Sequence, residues 1–298
     1  MERREFLTKA TVAGLASLGG GALMAQDPAA RRPGESDVAH RTRLAQMRAA
    51  RSAEMAANAE DVSVVKFIRE YYELRRYEIE TEEQKAGMDR FLSEAAIPAL
   101  NRLGIKPVGV FYPNEGISLI YVLLVHIGMA TFATLTERLR EDPEFMEKGA
   151  AFINAPDSGP AYKNLEVQFM GAFDNIPRLE RPVDGPGRIF QLRTYESPSE
   201  KAGPKKIEMF NAAEIAIFRK VGLHPVFFGQ TLAGTKMPNL TYMLGFKDMD
   251  ESKANWKAFG ADPDWQKLRA IPEYADSAIL RKGGITNLYL KPASYSQM

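Results

Sequence analysis

Two short segments carry the residues best suited to chemistry. Tyr72-Glu-Leu-Arg-Arg-Tyr-Glu78 and Phe190-Gln-Leu-Arg-Thr-Tyr-Glu196 share Leu, Arg, Tyr and Glu at a separation of 118 residues. An arginine beside a tyrosine can bind a carboxylate or polarise a carbonyl group. The structural alternative is that Arg75 pairs with Glu78 or another acid and Arg193 with Glu196, with the tyrosines as ordinary strand residues. The sequence leaves both interpretations open.

Other reactive groups are scarce. The chain has no cysteine, which excludes disulfides, zinc–thiolate sites, iron–sulfur clusters and thiol nucleophiles. His126 ends one predicted strand and His224 begins another, so either could be a haem ligand, but a lone strand histidine is more often packed or on the surface. We therefore predict no haem, no metal site and no other cofactor. Phosphate-loop, dinucleotide and serine-hydrolase motifs are absent, and catalytic residues stay unassigned.

The charge balance argues against one class of partner. Lys and Arg number 39 and Asp and Glu 38, giving a formal charge of +1, so nucleic acid is not expected to bind. A hydrophobic share of 45% in 298 residues can form a packed core. That length suggests about two domains.

The N-terminus resembles a twin-arginine (Tat) export signal. Arg3, Arg4, Phe6 and Leu7 match the pattern Arg-Arg-x-Phe-Leu, and a weakly apolar run to Ala25 follows. Residues 1–25 are therefore predicted to be a signal peptide and residues 26–63 a flexible tether. The resemblance implies the Tat translocase as a partner and a periplasmic or other extracytoplasmic location, with membrane tethering if the signal is not cleaved. The alternative is an amphipathic N-terminus with a chance Arg-Arg pair.

The rest of the chain contains two copies of one unit, residues 64–182 and 188–298. Gly104 and Gly222, and the residue pairs that follow them, keep the separation of 118. Further on, Leu119, Tyr121 and Leu123 align with Leu240, Tyr242 and Leu244 at 121, and Asp142-Pro143 aligns with Asp262-Pro263 at 120. Only two long copies are present, so the pattern indicates a duplication rather than a solenoid.

Hydrophobic periodicity predicts the elements of the first copy. Strands are expected over 70–79, 107–112, 118–126 and 165–173, and helical segments over 82–103 and 131–151, with a kink at Pro98. Gly104 and Gly222 stand where a helix ends on glycine. The order β-α-β-β-α-β is that of the ferredoxin-like unit, so the fold class is α+β with two tandem ferredoxin-like repeats.

These residues resemble the NIPSNAP family of the dimeric α+β barrel superfamily. The similarity rests on Tyr-x-Leu-Arg-x-Tyr-Glu, on Leu-Gly-Ile-Lys-Pro-Val with its counterpart Val-Gly-Leu-His-Pro-Val, and on Asp-Pro-Asp-Trp after Asn255-Trp256. The resemblance implies that the two sheets close into a barrel with helices outside, here within one chain. It does not imply one function, because the superfamily includes cofactor-free monooxygenases, haem proteins, isomerases and binding modules.

Strand alternation then predicts a site. With Tyr72, Leu74, Phe190 and Leu192 placed on the helix side, the alternate residues would face the lumen and bind a ligand. That predicted set is Glu73, Arg75, Tyr77, Gln191, Arg193 and Tyr195. The expected function is binding of a small, partly apolar molecule in the lumen. A cofactor-independent oxygenase or isomerase, and a protein or membrane interaction module, are the alternatives, and a homo-oligomer stays open.

Overall fold

The computed structural model describes residues 33–36, 39–40, 42–43, 46–47, 69–116 and 118–298. The chain divides into two units, Met1–Val64 and Val65–Met298. The predicted signal peptide, with its twin-arginine pair, lies outside the described residues, as does most of the predicted tether. In the first unit, the Glu35 carboxylate contacts His40 Nδ1 at 3.2 Å and Arg43 Nε at 2.8 Å. Among the described residues, no helix combines the length and apolarity that a membrane span requires.

The second unit is built on a closed antiparallel barrel of eight strands. The strand order around the barrel is β1-β3-β2-β8-β5-β7-β6-β4. The strands are β1 (Tyr71–Glu78), β2 (Val108–Pro113), β3 (Leu119–His126), β4 (Asn164–Ala172), β5 (Ile189–Glu196), β6 (His224–Ala233), β7 (Asn239–Phe246) and β8 (Ile285–Pro292). Each half of the chain supplies four adjacent strands. The halves join where β2 pairs with β8 and where β4 pairs with β6.

Helices connect the strands of each half. The first half has α1 (Glu82–Arg90), α2 (Ile97–Arg102), α3 (Met129–Ala133), α4 (Leu135–Arg140), α5 (Pro143–Lys148) and α6 (Ala150–Ile153). The second half has α7 (Ala202–Met209), α8 (Ile215–Lys220), α9 (Met249–Ala261), α10 (Pro263–Arg269) and α11 (Asp276–Ile279). A short 3₁₀ turn spans Pro272–Tyr274. The second helical segment predicted for the first half is therefore four short helices.

A widened π-helical turn lies inside the first helical segment of each half. It spans Phe91–Ala96 between α1 and α2, and Phe210–Glu214 between α7 and α8. The sequence predicts a kink at Pro98, which falls just after the first turn. The second half has the same turn although Ala216 stands at the matching position, so proline alone does not cause it.

Strand register corrects one part of the repeat alignment. Arg75 on β1 stands opposite Val122, and Arg193 on β5 stands opposite Tyr242. Positions on β3 and β7 therefore correspond at a separation of 120, not the 121 suggested by the sequence. Because a slip of one residue exchanges strand faces, Tyr121 lies inside the barrel while Tyr242 lies under the helices.

Three apolar clusters separate the two faces of the sheet. One lies between the first half's strands and helices and includes Tyr77 and Met88. A second occupies the same place in the second half and includes Tyr195 and Phe210. The third contains no helix residue and fills the barrel interior with side chains of both halves. Ring contacts cross this interior, Tyr72 with Phe227 at 4.9 Å and Phe111 with Phe190 at 5.0 Å between centroids.

Candidate functional site

The residues predicted for the lumen lie on the opposite face of the sheet. Tyr77 and Tyr195 belong to the clusters beneath the helices, and Glu73, Arg75, Gln191 and Arg193 alternate with the interior residues of the same strands. The residues predicted for the helix side, Tyr72, Leu74, Phe190 and Leu192, instead fill the interior. The prediction that these side chains face the lumen is therefore wrong, because they lie on the outer face of the sheet. The residues concerned are Glu73, Arg75, Tyr77, Gln191, Arg193 and Tyr195. Both faces of these strands are buried, so alternation separates two faces without showing which one is inner.

In the first half, Glu73 and Arg75 belong to a chain of polar contacts that continues through His126. Glu73 Oε1 accepts a hydrogen bond from Arg75 Nε at 2.6 Å, and Glu73 Oε2 lies 2.9 Å from His126 Nε2. His126 Nδ1 is 3.1 Å from the Thr131 hydroxyl, which donates to the Gly128 carbonyl at 2.6 Å. The partner of Arg75 is thus an acid two residues away rather than Glu78.

Electrostatics keep Glu73 ionised inside this chain. Burial by itself raises the pKa of the Glu73 carboxyl, but the His126 hydrogen bond and the Arg75 charge outweigh it and hold that pKa below its ordinary value. The Glu73 side chain is 3% exposed and that of His126 is 0% exposed. Both ring nitrogens of His126 already contact polar groups, so His126 could ligate a haem only by losing one of them.

The second half places the same residue types in a different arrangement. Gln191 Oε1 accepts from Trp256 Nε1 at 2.6 Å, and Gln191 Nε2 donates to Asn287 Oδ1 at 2.7 Å. Arg193 lies against aromatic rings, its Cζ 4.8 Å from the Trp256 centroid and 5.4 Å from the Tyr195 centroid. Arg193 Nε is buried without a hydrogen-bond partner. Arg193 therefore does not pair with Glu196 as the structural alternative proposed.

Two further polar pairs lie between the second half's strands and helices. The hydroxyls of Tyr195 and Tyr242 are 3.0 Å apart, and burial raises the pKa of Tyr242 well above its ordinary value. Lys206 Nζ lies 3.0 Å from Glu214 Oε2, with both side chains almost fully buried. Burial raises the pKa of Glu214, and the Lys206 charge opposes that shift. Trp256, from α9, stands edge-on to Phe259, and Trp265 packs on the same phenyl ring.

A separate cavity opens at one end of the barrel interior. Its volume is about 360 Å³, within the usual range of small-molecule pockets. Its apolar floor comes from both halves and consists of Leu74, Tyr121, Leu192 and Leu288. Its polar lining includes Arg76, Glu166, Gln168, Thr194, Asn239 and Thr286. We call this cavity the lumen mouth.

Hydrogen bonds organise the polar wall of the lumen mouth. Gln168 Nε2 lies 2.6 Å from Thr231 Oγ1 and 3.0 Å from both Asn239 Oδ1 and Thr241 Oγ1. Thr241 and Thr194 share a hydroxyl–hydroxyl contact of 2.8 Å. Next to this wall, Arg76 and Glu166 form an ion pair at 2.9 Å. The mouth therefore offers amide, hydroxyl and charged groups above an apolar floor.

The sequence contained a signal for this cavity that the face assignment missed. On four strands the interior face changes from apolar to polar within one alternation step, and all four changes occur at the same end of the barrel. The steps run from Leu192 to Thr194, Leu288 to Thr286, Met243 to Thr241 and Met170 to Gln168. Such a change is visible in the sequence once the inner face is known.

No metal site can be assigned. Among the residues that the structure describes, no three His, Asp or Glu side chains come together in a way that could hold a metal ion. The prediction that the protein uses no cofactor stays a prediction.

One part of the chain matches a known family. Residues 190–297 match the NIPSNAP family. An uncharacterized NIPSNAP-like domain protein from Burkholderia xenovorans is 21% identical, over 37% of this chain and 90% of that one, with a TM-score of 0.33. No curated protein matches the sequence. The NIPSNAP match therefore covers the second half of the barrel, the half with the better sequence resemblance.

Solved structures match a larger share of the chain. A candidate monooxygenase from Lactobacillus acidophilus has a TM-score of 0.50 at 7% identity, over 75% of this chain and 94% of that one. A candidate monooxygenase from Fusobacterium nucleatum has a TM-score of 0.49 at 8% identity, over 75% of this chain and 92% of that one. At 7% identity, the similarity to the Lactobacillus structure concerns the fold alone. The protein is therefore a mixed α+β protein with a closed eight-stranded antiparallel barrel.

Proposed function

We propose that the protein binds a small, partly apolar molecule at the lumen mouth. The observation that carries this proposal is a cavity of about 360 Å³ with an apolar floor and a polar wall, formed jointly by both halves. The apolar floor favours a hydrocarbon or aromatic body, while the wall supplies both donors and acceptors. Both cations that line the mouth have acidic partners, Arg76 with Glu166 and Lys236 with Glu196, so we expect a neutral or zwitterionic ligand.

The shared cavity gives the duplication a functional meaning. We propose that the barrel consists of two tandem ferredoxin-like repeats. Within each half, the first strand pairs with the third and with the fourth, which is the pairing of a ferredoxin-like sheet. Because neither half alone encloses the mouth, fusing the two copies keeps the site assembled in every molecule.

A cofactor-independent oxygenase or isomerase is the second candidate function. It is favoured by the Tyr195–Tyr242 hydroxyl pair beside Arg193, a group that could polarise a carbonyl or take part in proton transfer. The similarity to candidate monooxygenases extends only to the fold. Oxygen uptake with electron-rich phenols, compared between the wild type and Tyr195→Phe, tests this candidate. Equal uptake in both would exclude a role for this hydroxyl.

Export belongs to the same proposal. The twin-arginine pattern at Arg3 and Arg4 supports Tat-dependent export to an extracytoplasmic compartment. The chain has no cysteine, so its stability there would depend on the packed core rather than on disulfides. Replacing both arginines with lysine should leave the protein in the cytoplasm, as fractionation of the native host would show. Export of the doubly substituted chain would contradict this. An interaction module and self-association stay alternatives.

Binding of prodan, a neutral polarity-sensitive naphthalene dye, tests the proposed site. Thr286 is an exposed residue of the mouth, and Thr286→Trp should occlude the cavity with little overpacking. Ile285→Trp places the same bulk on the opposite face of β8 and is the matched control. We expect the blue-shifted prodan emission to require about tenfold more protein with Thr286→Trp. Equal prodan binding by the wild type and both variants would contradict ligand binding at the lumen mouth.

A further inference from the structure

Corresponding positions on β1 and β5 have different charges. Glu73 and Arg75 in the first half correspond to Gln191 and Arg193 in the second. Glu73 neutralises Arg75 through a 2.6 Å ion pair. Gln191 carries no charge, and its amide is already engaged by Trp256 and Asn287. The second arginine therefore lacks the counterion that the first one has.

No neighbouring acid of the described chain forms a direct ion pair with Arg193. Among the described residues, no Asp or Glu oxygen lies within 4.0 Å of the Arg193 guanidinium, the distance that defines an ion pair. Glu214, at the end of the second π-helical turn, binds Lys206 at 3.0 Å, and its carboxylate interacts with the Arg193 charge only from beyond ion-pair distance. Arg193 contacts the ring faces of Trp256 and Tyr195 and interacts with the Tyr195 hydroxyl, while its buried Nε has no hydrogen-bond partner. Burying a cation without a directly bound anion costs folding free energy, and binding of an anion would offset that cost.

We propose that Arg193 and Trp256 form a binding site for a small aromatic carboxylate, present in the second half only. The guanidinium would bind the carboxylate through two parallel N–H donors, and the indole would contact the flat ring of the ligand. This site lies on the outer face of β5 and is separate from the lumen mouth, so it does not rest on ligand binding at the mouth, although it shares Arg193 and Tyr195 with the second candidate function. In the first half, Glu73 occupies the anion's place permanently.

Tryptophan fluorescence of the full chain tests this site. The sequence has two tryptophans, so Trp265→Phe leaves Trp256 as the only reporter. In that background, sodium benzoate should change Trp256 emission saturably, while benzamide, its neutral analogue, should have little effect. Arg193→Gln should weaken benzoate binding at least about tenfold. Arg269→Gln is the control, because it removes an arginine whose aromatic contact, 5.9 Å from the ring at position 265, does not involve Trp256.

A second variant keeps the test decisive if Arg193→Gln folds poorly. Gln191→Glu reproduces the first half's arrangement and should supply the missing counterion from within the chain. We expect it to raise the melting temperature and to abolish benzoate binding. Benzoate binding unchanged in Arg193→Gln or Gln191→Glu, equal binding of benzamide, or no saturable response in the wild type would overturn the proposal. Thr286→Trp should leave benzoate binding unchanged, measured here by isothermal titration calorimetry because this variant adds a tryptophan, and this result separates the test from that of the lumen mouth.

Discussion

Arg75 and Arg193 show how one neighbouring residue determines what a charged group can do. Each lies on the outer face of the first strand of its half, two residues after Glu73 or Gln191. Beside a carboxylate, Arg75 is part of a buried structural network that includes His126. Beside an amide, Arg193 forms no ion pair within 4.0 Å among the described residues and lies against Trp256. The residue type alone therefore does not distinguish a structural arginine from a binding one.

Replacing Glu73 tests the structural role of the first network. Glu73→Gln leaves Arg75 without its partner in a buried position, and we expect a loss of about 3 kcal/mol in the free energy of unfolding at pH 7. The pKa of Glu73 is depressed in the folded state, so its contribution is present above the ordinary glutamate pKa and is lost as the pH falls through the folded value. Urea unfolding at pH 7 and pH 4 measures both effects.

The difference between the wild type and Glu73→Gln should therefore shrink at the lower pH. Glu83→Gln, at an exposed position in α1, is the control and should change stability little at either pH. If Glu73→Gln had the same free energy of unfolding as the wild type at pH 7, that result would contradict a stabilising role for the buried network.

At the scale of elements, the sequence predicts the order of strands and helices better than it predicts which face of each strand points into the barrel. The predicted strands of the first copy, and its first predicted helical segment as the sum of α1, the π turn and α2, lie within two residues of their observed bounds, because their apolar periodicity and flanking turns are clear. Gly104 and Gly222 end their helices with φ of +80° and +82°, as expected. The inner and outer faces could not be predicted, since helices cover one side and the opposite half covers the other. The matching Leu-x-Tyr-x-Leu runs also gave a false register for β3 and β7.

Two glycines test the packing of these elements with opposite expected signs. A Cβ added at Gly229 on β6 would lie 2.8 Å from Met170 Cβ, so Gly229→Ala should cost about 1–3 kcal/mol of unfolding free energy. Gly87 in α1 has no atom within 4 Å of an added Cβ, and Gly87→Ala should stabilise by about 0.5–1 kcal/mol. Urea unfolding of both variants measures this, and a stabilising Gly229→Ala would contradict the close contact between β4 and β6.

At the scale of the whole barrel, the two halves share one interior. Pairing of β2 with β8 and of β4 with β6 closes the sheet, and Phe111 of the first half meets Phe190 of the second edge-on. Neither half can bury its interior face alone. The barrel should therefore unfold as one cooperative unit.

A double-mutant cycle on this ring pair tests the cooperative barrel. Phe190→Ala should cost about 3–5 kcal/mol of unfolding free energy, and its coupling to Phe111→Ala should be about 0.5–1.5 kcal/mol. Circular dichroism and tryptophan fluorescence should report the same transition, although both tryptophans lie in the second half. Two separate transitions would show that the halves unfold independently.

The location of a bound neutral ligand is the most direct test of the proposed function. Leucine methyl groups report on both sides of the sheet: Leu74, Leu192 and Leu288 lie at the lumen mouth, and Leu244 of β7 and Leu268 of α10 lie in the cluster between the strands and the helices. Methyl NMR spectra recorded during a prodan titration should show saturable shifts for the three mouth leucines and little change for the other two. Shifts confined to Leu244 and Leu268 would contradict ligand binding at the lumen mouth.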